Sequence, residues 1–211
     1  SGVGRIERVF YPPGVPQLSL FSADARPAGV RDLGGLLCGP GRIVRFGAGD
    51  QARLSTVLVD AARGPAVAAA CAATGIRVEV VTTESGAAAV RSAFRCDLVG
   101  LAAEWTAGSV KTVPAGWQLD GAALRLWALA AGRPDDHGGY LLMLDPDAPG
   151  THLPLLAATT RLGIPPARTA CGTALRISGT RRVQRLVELV GPAPRGVPDG
   201  DWPRCWGRRA S

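Results

Sequence analysis

The chain has 211 residues, enough for one domain of good size or two small ones with a core of ordinary dimensions. Hydrophobic residues make up 46% and aromatics only 5%, while 28 glycines and 17 prolines fall short of the level that marks general disorder. The net charge is +7, and of 24 basic residues only Lys111 is a lysine. Arginine pairs bidentately with phosphate and guanine and stacks on bases, which points to a polyanionic partner. A GC-rich coding sequence gives the same excess of Arg, Ala, Gly and Pro with no such partner, so both readings stand. No uninterrupted apolar run reaches membrane-spanning length and no leading signal segment is visible, which predicts a soluble cytoplasmic protein without a membrane partner. Cys38, Cys71, Cys96, Cys171 and Cys205 form no CxxC and, with only His137 and His152 beside them, show no zinc-ligand spacing. They are expected to be reduced and buried. No GxGxxG, Walker loop or GxSxG is present, so neither a cofactor nor a small-molecule substrate is expected.

In chain order, residues 1–28 read as an irregular arm carrying Tyr11-Pro12-Pro13-Gly14 and then Pro16-Gln17-Leu18-Ser19-Leu20-Phe21. The spacing predicts a short helix over 31–37, stopped by Gly39-Pro40-Gly41. RIVRF (42–46) and ARLSTVLVD (52–60) read as a hairpin around Gly47-Ala48-Gly49-Asp50. The Ala-rich 65–75 is a predicted helix with Gly75 at its C-terminal cap. IRVEVVTT (76–83) and AAVRSAFR (88–95) read as strands, and DLVGLAAEW (97–105) as a helix capped by Asp97. Residues 106–118 read as a linker. The order then repeats, with a helix over 120–132 capped by Asp120, a strand at 140–145, a helix over 151–163, a hairpin 167–178 around Gly172 and a helix over 180–191. Turn-rich RPDDHGG stands where this second copy should have its first strand. Residues 192–211 read as a basic Pro/Gly/Trp tail holding Trp202 and Trp206, which either stack on bases or pack on the fold.

Two copies of αββαββα predict an α+β pseudo-dimer with repeats at 29–105 and 119–191, each giving a four-stranded sheet with one face free. Leu33-Gly34-Gly35-Leu36-Leu37-Cys38-Gly39-Pro40-Gly41 resembles the first-helix motif of the LAGLIDADG homing endonucleases, with identity at Leu33, Gly35, Leu36 and Gly41. In the second copy, Leu126-Trp127-Ala128-Leu129-Ala130-Ala131-Gly132-Arg133-Pro134 keeps Leu126 and Leu129. Small residues such as Gly35 and Ala128 would let the paired helices approach closely. The resemblance implies that an acidic residue near the motif's end would hold a catalytic metal. That position is Pro40 in one copy and Arg133 in the other, and neither offers a carboxylate. Asp135 and Asp136 follow two and three residues late; with His137 they read first as a polar turn, as does Asp145-Pro146-Asp147. No metal site and no catalysis are therefore expected. The pattern is also similar to the non-cutting DNA-binding domain of the actinobacterial WhiA family, although no helix-turn-helix region is evident. The free sheet faces would form a saddle for duplex DNA, with Arg42, Arg45, Arg53, Arg77, Arg95, Arg168 and Arg176 as candidates, about half of them facing it by alternation. Arg181, Arg182 and Arg185 are expected on the exposed side of the last helix.

Gln17-Leu18-Ser19-Leu20-Phe21 resembles the QL(S/D)LF peptide by which bacterial replication and repair proteins bind the β sliding clamp. Gln17 offers an amide, and Leu18, Leu20 and Phe21 offer apolar anchors, in a proline-bounded arm. A buried edge strand LSLF is the rival reading. Together these features predict a non-catalytic accessory protein of DNA replication or repair that binds double-stranded or branched DNA and the clamp, associated with the nucleoid. A WhiA-like transcription regulator is the alternative, and a residual nuclease using Asp135 and Asp136 is a third.

Overall fold

The computed structural model describes Ser22, Ala23 and residues 26–205. A 3-10 turn over Val30–Leu33 leads into α1 (Gly34–Cys38), so the first predicted helix is built in two pieces. β1 (Gly41–Phe46) and β2 (Gln51–Val57) then pair antiparallel around Gly47 and Gly49, whose φ angles of 63° and 89° suit glycine. α2 (Gly64–Ala73) crosses to β3 (Val78–Thr82), which pairs with β4 (Ala88–Ser92), and α3 (Val99–Trp105) closes this half. The segment read as a linker contains a small hairpin of β5 (Thr106–Ala107) and β6 (Val110–Lys111).

The second half opens with α4 (Gly121–Ala131), capped as expected by Asp120, whose carboxylate accepts from the Ala123 N–H. β7 (Gly132–Pro134) comes next with no intervening loop, then β8 (Tyr140–Met143), α5 (His152–Arg161), β9 (Ala167–Arg168), β10 (Ala174–Ile177) and α6 (Thr180–Val190). The first strand of this half is therefore present where turn-rich sequence stood in its place. It is three residues long, and the Asp135 N–H closes the turn on the Gly139 carbonyl at 3.2 Å.

Both four-stranded sheets have one order, β1-β2-β4-β3 and β7-β8-β10-β9, with every pair antiparallel. They share one apolar core, centred on α1 packed against α4. A Cβ on Gly35 would stand 1.9 Å from the Ala123 carbonyl oxygen, and one on Gly39 would stand 2.8 Å from the Ala131 methyl. The close approach expected of Gly35 thus falls at Ala123, while Ala128 is buried further along α4. Leu124, Trp127 and Leu129 are fully buried, and each such side chain contributes about 2 kcal/mol. α6 buries Val183, Leu186, Leu189 and Val190 at helical spacing and leaves Arg181 and Arg182 exposed; Arg185 is half-buried beside Glu188.

Arg63 is 2% exposed and reaches from the first half to the end of α4. One guanidinium nitrogen donates to the carbonyls of Ala128, Leu129 and Gly132 at 3.1, 3.3 and 2.8 Å, and the other to the Asp201 carbonyl at 2.9 Å. A cation here satisfies orphan carbonyls at the negative end of the helix. The same contact ties down residues read as a tail. Trp202 is 4% exposed and donates its indole N–H to the Gly191 carbonyl, so it packs on the fold; Trp206 lies outside the described residues.

Three sequence expectations are corrected. Asp97 does not cap α3, because its carboxylate is held by Arg95 at 2.9 Å. Cys38 and Cys71 are buried, and burial pushes the Cys71 thiol up to about 12, but Cys96, Cys171 and Cys205 are exposed. The position before the first strand, which is Pro40 in the first half, is Ala131 in the second. Arg133 lies inside β7, opposite Leu141.

Candidate nucleic-acid interface

Register decides which arginines share a face. In the first sheet Ile43, Ala52, Leu54 and Val90 turn toward the helices and are buried. The opposite parity is open, and across it Arg42, Ser55, Arg91 and Glu79 stand side by side on β1, β2, β4 and β3. Arg53 lies beside Val44 on the same face, and Phe46 beside Gln51. Neighbouring strands are about 4.8 Å apart, so Arg42 and Arg91 are about 10 Å apart along the row. A groove of about 310 Å³ runs over this face, lined by Arg42, Arg53, Ser55, Val81, Thr83 and Arg91. Arg91 has no ion-pair partner among the described residues, and Arg53 stacks its guanidinium 4.6 Å from the centre of the Phe94 ring.

Arg45 pairs with Ala52 and so lies on the helix side, away from the open face. Arg95 is also on that side. Three steps along β2, from Ala52 to Ser55, are matched by four along the other strand, from Arg91 to Arg95. The extra residue is a β-bulge, and it reverses the parity of the residues beyond it. The Leu54 N–H at this break donates to the Ser92 hydroxyl at 3.0 Å instead of to a ladder carbonyl. Arg77 is exposed and precedes β3 by one residue. Arg91, absent from the sequence-derived set, is the addition; it has the same two-residue periodicity with Ala89 that marked the strand.

In the second sheet Arg133, Leu141 and Arg176 stand in one row on the open face. Arg176 is engaged: its Nε lies 2.7 Å from one Asp135 oxygen and its terminal nitrogen donates to the other at 2.9 Å. Arg176 beside it holds the Asp135 carboxyl below its ordinary range, against the opposing pull of burial. Arg168 has the parity of Leu175 and Leu142, both fully buried, and so belongs to the helix side. Asp136 and His137 are exposed in the turn. Asp135 thus serves Arg176, and no cluster of three or more His, Cys, Asp or Glu with metal-holding geometry occurs among the described residues.

The seam between the halves holds Lys111. Its ammonium donates to the Gly39 and Gly41 carbonyls at 2.7 and 2.8 Å and to the Asp145 carboxylate at 2.8 Å. These oxygens flank Pro40 on one side and come from the exit of β8 on the other. Burial lowers the Lys111 pKa, and the Asp145 contact opposes that shift. Asp147, two residues on, is paired with Arg42. Both carboxylates of the Asp145-Pro146-Asp147 turn are therefore engaged by basic side chains. His152, buried under this turn, places Nε2 2.8 Å from the Asp145 carbonyl.

The Gln17-Leu18-Ser19-Leu20-Phe21 stretch lies outside the described residues. Its immediate successor, Ser22, is buried, and the Ala23 N–H donates to the Leu189 carbonyl at 2.9 Å. The chain just after the motif is therefore fastened to the end of α6. Among the described residues no helix is long and apolar enough to cross a membrane.

Element order and sheet topology define an α+β fold made of two αββαββα halves. That fold is similar to that of a LAGLIDADG homing endonuclease. A solved structure, the homing endonuclease I-WcaI bound to its DNA recognition sequence, superimposes with a TM-score of 0.54 and 10% sequence identity. The match covers 75% of this chain and 78% of that one. No protein-family model matches the chain, and no curated protein does.

Proposed function

We propose that the chain is a DNA-binding protein without nuclease activity, an accessory of replication or repair that grips DNA with its open sheet faces and the β sliding clamp with Gln17–Phe21. One observation carries the DNA half: Arg42, Arg53 and Arg91 converge on the open groove of the first sheet, in a fold shared with a protein whose structure is bound to DNA. Arginine there suits phosphate and base edges alike. What supports the non-cutting half is the seam. Neither Pro40 nor Ala131, the residues that precede the first strand of each half, offers a carboxylate, and the carbonyls flanking Pro40 already hold the Lys111 ammonium. Two-metal hydrolysis needs several free oxygen ligands at such a place.

The clamp half rests on the motif and on its position. Phe21 is one residue from buried Ser22, so a clamp-bound motif would hold the ring close against this domain. A short tether raises the effective concentration of each site for the other, and neither has to bind tightly alone.

Anisotropy titration of a labelled duplex tests the DNA half. Binding should weaken steeply between about 50 and 200 mM salt, with a slope reflecting several phosphate contacts. An absent or salt-insensitive interaction would remove it. Calorimetry against the purified clamp, beside a variant with Gln17, Leu20 and Phe21 changed to alanine, tests the other half; binding by neither protein overturns it. Nicking of supercoiled plasmid in the presence of magnesium or manganese would overturn the non-cutting reading.

A further inference from the structure

The chain has four phenylalanines, and the two among the described residues, Phe46 and Phe94, both lie outside the core. Phe46 is 60% exposed at the end of β1, on the open face that also carries Arg42 and Val44. Its ring centre is 4.8 Å from that of Phe94 with the planes tilted by 38°, and the Arg53 guanidinium lies 4.6 Å from the Phe94 centroid. Leaving a phenylalanine in water forgoes the stability that burial would supply, and the chain has few aromatics to spare. Arg53 links this aromatic pair to the groove, because the same side chain lines it beside Arg42 and Arg91.

Resting on the DNA-binding reading above, we propose that Phe46, with Phe94 and Arg53 behind it, is a stacking platform for an unpaired nucleobase, so that the preferred ligand is DNA with a duplex–single-strand junction. Bases inside an intact duplex are covered on both faces by their neighbours and offer nothing to an exposed ring. A base at a fork or overhang has a free face, and aromatic side chains take it without regard to sequence. From the Arg42 row to Phe46 is four residues, about 13 Å along β1. For a duplex lying with its axis along β1, with phosphates spaced about 3.4 Å per strand along that axis, about four base-pair steps separate the arginine row from the platform. Duplex backbone held by Arg42 and Arg91 would thus deliver its first unpaired base to Phe46. The surrounding positive charge complements the phosphates on either side.

The test compares a blunt duplex with the same duplex carrying a short single-stranded overhang, by competition anisotropy, with 2-aminopurine at the first unpaired position. The full chain should prefer the overhang by roughly tenfold, from one base–aromatic stack, and should quench the 2-aminopurine. Phe46→Ala should abolish both effects by weakening the overhang complex far more than the blunt one, and Phe46→Trp should retain them. Equal affinity of the full chain for both substrates would remove the platform and leave the DNA-binding reading standing. A Phe46→Ala loss that is the same for both substrates, or a change in sedimentation that assigns Phe46 to contact between two copies, would also overturn it. Binding of neither substrate would remove both readings together.

Discussion

The two sheets follow one strand order but differ in reach: β1 to β4 run six, seven, five and five residues, and β7 to β10 run three, four, two and four. The longer sheet opens a groove lined by three arginines. The shorter one has two on the same face, and Asp135 engages one of them. A repeated fold therefore need not divide its arginines equally between its open faces. Strand length and ion pairing distinguish the halves: Asp135 engages Arg176 within the second half, whereas Arg42 of the first is paired with Asp147 across the seam. The cross-links between halves are unequal too, since Arg63 of the first half caps α4 of the second.

The largest expected effect breaks that cross-link. Arg63→Met removes the donors that satisfy the end of α4 and the Asp201 carbonyl, leaving buried acceptors without partners. It should cost about 3 kcal/mol, read as a lowered urea midpoint with little change in slope. Next comes the contrast between the sheets. Arg53→Glu with Arg91→Glu should weaken duplex binding by at least about tenfold and reduce the salt slope by about two, whereas Arg133→Glu should cost only a few-fold. Equal losses from both sheets would refute the asymmetry.

A smaller effect comes from Asp135. Its folded-state pKa lies below the ordinary carboxylate value, so between the two values the unfolded chain binds more protons. The stability it contributes is present at neutral pH and is lost as pH falls through that window. Asp135→Asn should flatten this part of the acid-unfolding curve. It should also free Arg176 and tighten duplex binding slightly. The smallest effect concerns the β9–β10 turn. Hydrogen bonds from Thr169 and Thr173 lower the exposed Cys171 thiol to about 7, so alkylation at Cys171 should reach half its maximal rate near that pH. Mass spectrometry after a timed pulse of iodoacetamide would read that rate, and valine in place of both threonines should move the half-point upward.

Several features were legible because they are local. Gly47 and Gly49 mark a hairpin turn that needs positive φ, and Asp120 announces the start of α4 three residues before the N–H it caps. Gly35 at the centre of a Leu-rich helix signalled a close crossing. What stayed hidden depends on partners distant in sequence. β7 is too short for any periodicity, and only pairing with β8 makes it a strand. Alternation along 88–95 assigns Arg91 and Arg95 to one face, but a bulge against β2 sends Arg95 to the other. Asp97 looked like a cap until Arg95 was placed beside it.

By itself, the sequence determined the two-fold α+β plan, the crossing of the small-residue helices and an arginine-rich surface, because periodicity, turn chemistry and composition act over a few residues. Only the tertiary structure decided which arginines share the open face and which are engaged by carboxylates. It alone brought Lys111 to the Gly39 and Gly41 carbonyls, and Arg63 to the end of α4, across about seventy residues of chain. Those outcomes depend on strand register and on long-range ion pairing, and neither is encoded in any local run of residues.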